Sequence, residues 1–169
     1  MKRRVLLAAA LAGAVGLLPG CKREESPAAA SPVDLFSRSY PDTNGVLQPL
    51  AQWEGRPLVV NFWATWCAPC VKEMPDLDRL SKEFPHIHFL GIGIDSSDNI
   101  AQFLQKVPVA YPLLEARADG LDLMRDLGNA SGGLPFTVIM SSDGKIMRSI
   151  SGQIDPSELA GYLRSVPRA

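Results

Sequence analysis

Cysteine and histidine are scarce in this 169-residue chain, which has three cysteines (Cys21, Cys67, Cys70) and two histidines (His86, His88). So few cysteines exclude a disulfide-stapled scaffold, and two histidines leave little from which to build a metal centre. Neither sign of charge predominates, with 17 basic and 18 acidic residues. The net charge is −1 and no stretch reads as a basic patch, which removes the usual grounds for nucleic-acid binding. Gly91-Ile92-Gly93 is not a dinucleotide fingerprint, because Ser96 stands where the third glycine would be. The apolar stretch Val5 to Leu18 is too short for a comfortable membrane span. What is present, 46% hydrophobic and 21% charged residues, suits one ordinary globular domain with a real core.

The ends of the chain divide its labour. Lys2-Arg3-Arg4 followed by an alanine-rich apolar stretch has the form of an export signal. It closes on Leu18-Pro19-Gly20-Cys21, which resembles the lipobox of bacterial lipoproteins, where the chain is cut before a cysteine that then carries lipid. Leu18 and Gly20 fit that pattern, and Pro19 is unusual in it. An uncleaved signal anchor and an ordinary signal peptide are the alternatives; all three put the domain outside the cytoplasm of a bacterium, in an oxidising compartment. Residues 1–20 are therefore expected to be a lipoprotein signal peptide, with lipid attached at Cys21. Residues 21–33, rich in Ala, Ser, Pro and charge, read as a flexible tether, and residues 34–169 as the domain. Removing Lys2, Arg3 and Arg4 from the 17 basic residues leaves 14 against 18 acidic ones, a mildly acidic body.

The domain is organised around Leu58 to Pro75, LVVNFWATWCAPCVKEMP. Leu58 to Phe62 is a β-branched, apolar run that reads as a buried strand. Cys67-Ala68-Pro69-Cys70 follows where the strand hands over to a helical pattern. The first turn of a helix has unpartnered N–H groups and the positive end of the dipole, so a thiolate on Cys67 would be stabilised there. Two intervening residues return Cys70 one turn later, within disulfide reach, and Pro69 suits a first turn because its missing N–H costs nothing there. Half of a zinc site has the same spacing. Zinc would need two more ligands, with His86 and His88 the candidates, and the strand-to-helix context with Trp66 before the first cysteine favours redox chemistry.

In the helix that follows, Cys70, Met74 and Leu77, with Glu73, Leu80 and Phe84, trace the two edges of one face, and Lys72, Asp76, Arg79 and Glu83 form a charged opposite stripe. Glu73 thus lies at the edge of the apolar face, one turn beyond Cys70. Desolvated, it would have a raised pKa and could take and return a proton as Cys70 attacks a mixed disulfide; the alternative is that it reaches out to water. Pro75 is expected to kink the helix. Further on, the pattern predicts an N-terminal hairpin from 36–40 and 46–48, a strand over 86–95, and a helix capped by Ser97-Asp98 that runs to about Lys106. It then predicts a short strand over 111–115, a helix over 120–127, a hairpin of 136–140 with 145–150, and a last helix from Asp155 to about Val166. Trp53 reads as a packing residue, and Pro135 stands just before a strand, where cis proline would make a tight turn. The sum is an α/β domain with a mixed sheet.

WCAPC after an apolar strand, with a much later Leu-Pro entering a hairpin, resembles the thioredoxin superfamily. NFWATWCAPCVKEMP, YPLL and GGLPFTVIMSSDGKI, behind an exported N-terminus, are similar to the TlpA-like extracytoplasmic thiol–disulfide oxidoreductases, which include the cytochrome c maturation thioredoxins. The likeness covers roughly residues 34–166. It implies a thioredoxin fold, a mixed central sheet flanked by helices, with an N-terminal β-hairpin extension. It further implies Cys67 as attacking thiol, Cys70 as buried resolving thiol and Pro135 as the cis proline, with Trp66, Ala68, Pro69 and Leu134 flanking them. It tips Glu73 towards function. No cofactor and no metal are expected; the partners would be protein disulfides, a membrane electron donor such as a thiol-relay protein, and the bacterial membrane through the N-terminal lipid. Asn61 is a departure, since ordinary thioredoxin has a buried aspartate there and an asparagine cannot relay a proton. Two rivals fit less well. Copper-binding assembly proteins of this fold space their cysteines one residue wider and add a histidine before the late hairpin. A thiol peroxidase would want threonine three residues before its cysteine, where this chain has Ala64. Ala68-Pro69 brings no cation that would favour a strongly oxidising thiolate, so the expectation is a protein-disulfide reductase.

Overall fold

The computed structural model describes residues 35–168; the expected signal peptide, tether and Cys21 lie outside them. Twelve short elements follow in order. A two-stranded antiparallel hairpin, β1 (Ser39–Pro41) with β2 (Leu47–Pro49), is succeeded by a 3-10 turn at Leu50–Trp53. The central strand β3 (Leu58–Trp63) then feeds α1 (Ala68–Glu83), followed by β4 (His88–Gly93), α2 (Ser97–Leu104), β5 (Leu113–Glu115) and α3 (Asp119–Asp126). β6 (Phe136–Met140), β7 (Ile146–Ser151) and α4 (Pro156–Leu163) complete the domain. The main sheet has the order β5-β4-β3-β6-β7, with β5, β4 and β3 parallel, β6 antiparallel to β3 and β7 antiparallel to β6. Parallel pairs joined by helical crossovers and a closing hairpin give the mixed sheet that the sequence predicts.

Every residue of β3 is buried, so the strand lies between two layers, and its side chains alternate between them. Val59 and Trp63 pack in the cluster that holds Leu77 and Leu80 of α1 with Leu159 and Leu163 of α4. Leu58, Val60 and Phe62 pack in the opposite cluster, with Leu123 and Met124 of α3 and with Tyr40 and Trp53. The strand period therefore sends Asn61 towards α1. In β6 the same alternation sends Ile139 to the α1 layer and Phe136, Val138 and Met140 to the other, so Thr137 also faces α1. Register puts Asn61 directly opposite Thr137.

Several boundaries differ from expectation, for identifiable reasons. The strand predicted over 86–95 begins at His88, because the chain leaving α1 is still turning, with Ile87 N–H donating to Phe84 C=O. The cap of α2 is Ser96, whose hydroxyl accepts from Asn99 N–H, while Ser97 and Asp98 lie inside the first turn. The helix ends at Leu104, short of Lys106. α4 stops at Leu163 instead of Val166: the chain tightens into three-residue turns (Ser165 N–H to Tyr162 C=O, Val166 N–H to Leu163 C=O), and Pro167 disfavours a helical residue before it. The N-terminal strands sit later than predicted, at 39–41 and 47–49. α1 spans 16 residues, Ala68–Glu83, with Pro75 inside it.

Candidate active site

Cys67 is the residue that caps α1. It has an extended backbone, and its sulfur accepts from Cys70 N–H at 3.3 Å. Pro69 lies in the first turn, as its geometry requires. Cys67 and Cys70 form a disulfide with their Cα atoms 5.3 Å apart. The two cysteines are not equivalent, for Cys67 is 6% exposed and Cys70 fully buried. Around them Trp66 is 68% exposed, an unusual position for so large an apolar ring, and Ala68 and Pro69 are exposed too. The Leu134–Pro135 bond is cis. Pro135 stands one step beyond the Phe62–Phe136 pair, at the end of the sheet where β3 gives way to the Cys67 loop. Leu134 packs against the cluster that contains both cysteines.

Glu73 does not reach water. It is 1% exposed, and both its oxygens are held: Oε1 accepts from Asn61 Nδ2 at 2.8 Å and Oε2 from Ile154 N–H at 2.9 Å. Asn61 Nδ2 also donates to Thr137 Oγ1 at 3.0 Å. Burial pushes the Glu73 carboxyl above its ordinary value, and the donations from Ile154 and Asn61 oppose that rise without cancelling it. Tyr111, also buried, has its phenol pushed up by burial first and then by the charges of Glu73 and Asp78. Sequence periodicity found Glu73 and its edge position. It did not find Thr137, Tyr111 or the Ile154 amide, which only the tertiary fold brings to it.

A second missed residue is Asp95, at the end of the apolar β4 run. Its Oδ2 accepts from Thr65 N–H at 3.1 Å and from the Thr65 hydroxyl, and its Oδ1 accepts from Ser96 N–H and Asn99 Nδ2, both at 2.7 Å. The loop leading to Cys67 is thereby tied to the β4–α2 turn. Burial raises the Asp95 pKa, but these donors outweigh burial and hold it below its ordinary value. A depressed carboxyl contributes stability above its unfolded pKa and loses it as pH falls through the folded one. Asp95→Ala is therefore expected to cost about 1.5–3 kcal/mol at neutral pH, the range for hydrogen bonds to a charged group. The deficit should shrink as the medium is acidified below about pH 4, the ordinary carboxylate range, in denaturant titrations at several pH values. A deficit that does not change with pH would mean the carboxylate charge is not what holds the loop.

The zinc arrangement weighed from the sequence is not assembled. His88 pairs with Leu58 at the start of β3, whereas the cysteines follow the other end of that strand. Among the described residues no group of three or more His, Cys, Asp or Glu side chains is arranged to hold a metal, and no helix is long and apolar enough to cross a membrane.

A helix-capping disulfide at the end of the sheet where a cis proline enters β6 invites comparison with known proteins, and the model of the Redoxin family matches residues 27–164. The chain belongs to this family. The thiol–disulfide oxidoreductase ResA of Bacillus cereus is 27% identical over 169 residues, covering 96% of this chain and 94% of its own. Among solved structures, a thioredoxin-related protein from Neisseria meningitidis serogroup B is 33% identical, with a TM-score of 0.67, over 75% of this redoxin and 96% of that chain. A secreted Mycobacterium tuberculosis disulfide oxidoreductase homologous to E. coli DsbE shares the fold, with a TM-score of 0.67 at 21% identity over 78% of this redoxin and 97% of that chain. The redoxin is thus a TlpA- and ResA-like thiol–disulfide oxidoreductase of the thioredoxin superfamily, with Cys67 and Cys70 as its CxxC pair.

Proposed function

We propose that this redoxin is a lipid-anchored reductase of protein disulfides on the periplasmic side of a bacterial membrane. The observation that carries the mechanism is the unequal burial of the two cysteines, Cys67 at 6% exposed and Cys70 at 0%. The Cys67 thiolate, the more accessible and favoured by the N-terminus of α1, attacks a substrate disulfide. A Cys67–substrate bond forms and one substrate thiolate leaves. Cys70 then gives its proton to the Glu73 carboxylate and attacks Cys67 Sγ, closing the Cys67–Cys70 disulfide and releasing the second substrate thiolate. Two electrons pass from the enzyme dithiol to the substrate, whose sulfurs end protonated. Exposed Trp66 and half-buried Leu134 flank the attacking sulfur, where an unfolded or extended client would lie. Pro135 would border the same contact. Clients would be exported proteins with a cysteine pair, an apocytochrome c among them, and a membrane thiol-relay protein would return the electrons.

Ala68 and Pro69, between the cysteines, supply no cation to stabilise the thiolate, which supports reduction over oxidation. Equilibration with glutathione should give a potential nearer to about −270 mV than to the −120 mV or so of strong oxidants, with insulin disulfides reduced. A potential at the oxidising end would reverse the direction of flow; stoichiometric copper binding without insulin reduction would favour the assembly-protein reading. The anchor rests on Leu18, Gly20 and Cys21 in the sequence. Mass spectrometry of membrane-extracted protein should find Cys21 as a lipidated N-terminus, and an intact N-terminus or an unmodified Cys21 would overturn that part.

A further inference from the structure

Asn61 makes a choice that a buried amide rarely makes. Its Nδ2 group spends both protons on neighbours, Glu73 Oε1 and Thr137 Oγ1, while its Oδ1, fully buried, has no protein hydrogen-bond partner. Orphaning a buried carbonyl is costly, so something fixes the amide this way round. The reversed orientation would set Oδ1 against the Glu73 carboxylate, acceptor against acceptor. The cross-strand register and the strand period fix the rest, since Asn61 and Thr137 are opposite one another and both face α1.

We infer that Asn61 is a positioning residue that holds buried Glu73 in its proton-accepting carboxylate form, with Thr137 locking the amide in the orientation that does so. The inference rests on the reading of Glu73 as the base for Cys70. It makes position 61 an active part of proton handling, although an asparagine carries no proton of its own: the amide tunes an acid on the neighbouring helix. No Lys or Arg forms an ion pair with Glu73 among the described residues. The ionisable groups around it are the Cys67–Cys70 pair at the start of its own helix, the Tyr111 phenol from the segment before β5 and, acting on Tyr111, Asp78 of α1. The two direct hydrogen-bond donors to Glu73, Asn61 of β3 and the Ile154 N–H of the segment before α4, are neutral. Without a cation, hydrogen bonds to the charged form are what offset desolvation. Asn61 is one of the two that do so.

The test follows the Glu73 carboxyl by 13C NMR and, separately, the pH profile of mixed-disulfide resolution in the full chain. In Asn61→Leu the Glu73 midpoint should rise by about one pH unit, the scale of one charge-assisted hydrogen bond, and the midpoint of the resolution profile should move with it. Thr137→Val should shift the midpoint the same way by less, by freeing the amide. Asn61→Asp, closest in shape, keeps the question answerable if the leucine variant does not fold: the introduced carboxyl and Glu73 should titrate in two separated steps as a coupled pair. Folded variants whose Glu73 titration and rate profile both superimpose on the wild type would overturn the inference. A midpoint that moves while the rate profile stays would sustain the Asn61–Glu73 coupling and remove the parent reading of Glu73 as the base.

Discussion

Cys67→Ser is expected to reduce disulfide exchange to the uncatalysed level, whereas Cys70→Ser should still attack its substrate and then stall. The difference follows from position. Cys67 caps α1 and retains some exposure, so its thiolate has both the electrostatic support and the access needed for an incoming disulfide. Cys70 is wholly enclosed and can meet only a sulfur already bonded to Cys67. An oriented intramolecular thiol acts at effective concentrations far above the millimolar range of free thiols. Its loss should therefore lengthen the life of the mixed disulfide by on the order of 10³-fold or more. Peptide mapping of the adduct trapped by Cys70→Ser should find the client joined to Cys67. An adduct that instead forms readily on Cys70 in Cys67→Ser, and none on Cys67, would reverse the assignment of attacker and resolver.

Much of this arrangement was legible in the residues. Phe136 to Met140 reads as a strand because an apolar run is fenced by Pro135 and by Ser142-Asp143-Gly144, and the structure puts its ends at those residues. The start of α4 is equally legible: Asp155 accepts from the N–H groups of Ser157 and Glu158, with Pro156 opening the helix behind it. The place of Cys67 at the start of α1 came from the same local logic. What stayed hidden is long-range. Thr137 lies 76 residues from Asn61, and the Ile154 amide 81 residues from Glu73; no local period carries the register of β3 against β6 or the docking of the β7–α4 loop on α1. Asp95 was hidden for a related reason. A polar residue at the end of an apolar run is ordinary until its partner Thr65, 30 residues away, is known. Asn61 shows the same limit. In the sequence it is an asparagine that cannot relay a proton, which holds, and its hydrogen bond to Glu73 is visible only in the fold.

Glu73→Gln is expected to lower the thiol pKa values by about one pH unit in the reduced protein, on the scale of one like charge removed from a buried neighbour a helical turn away. The charged carboxylate opposes thiolate formation nearby; a neutral amide does not. Folding should survive the change. The introduced glutamine can still accept from Ile154 N–H, and its amide protons can be met by Asn61 if that side chain rotates to present Oδ1, which now has no protein partner. Stability should acquire a different pH dependence. Burial raises the Glu73 pKa in the folded state above its ordinary 4.5, so the folded protein holds that proton more tightly than the unfolded chain does. The stabilisation is complete below the ordinary value and is lost as pH rises through the raised one. Glutamine has no such loss, so the variant should gain on the wild type across that interval and run parallel to it above. Thiolate absorbance from neutral to alkaline pH tests the first effect, and denaturant titrations from about pH 4 upward, where an ordinary glutamate begins to ionise, test the second. Thiol curves that superimpose, together with equal rates of disulfide exchange, would reduce Glu73 to a packing residue, because a carboxylate so enclosed has no water around it to screen its charge.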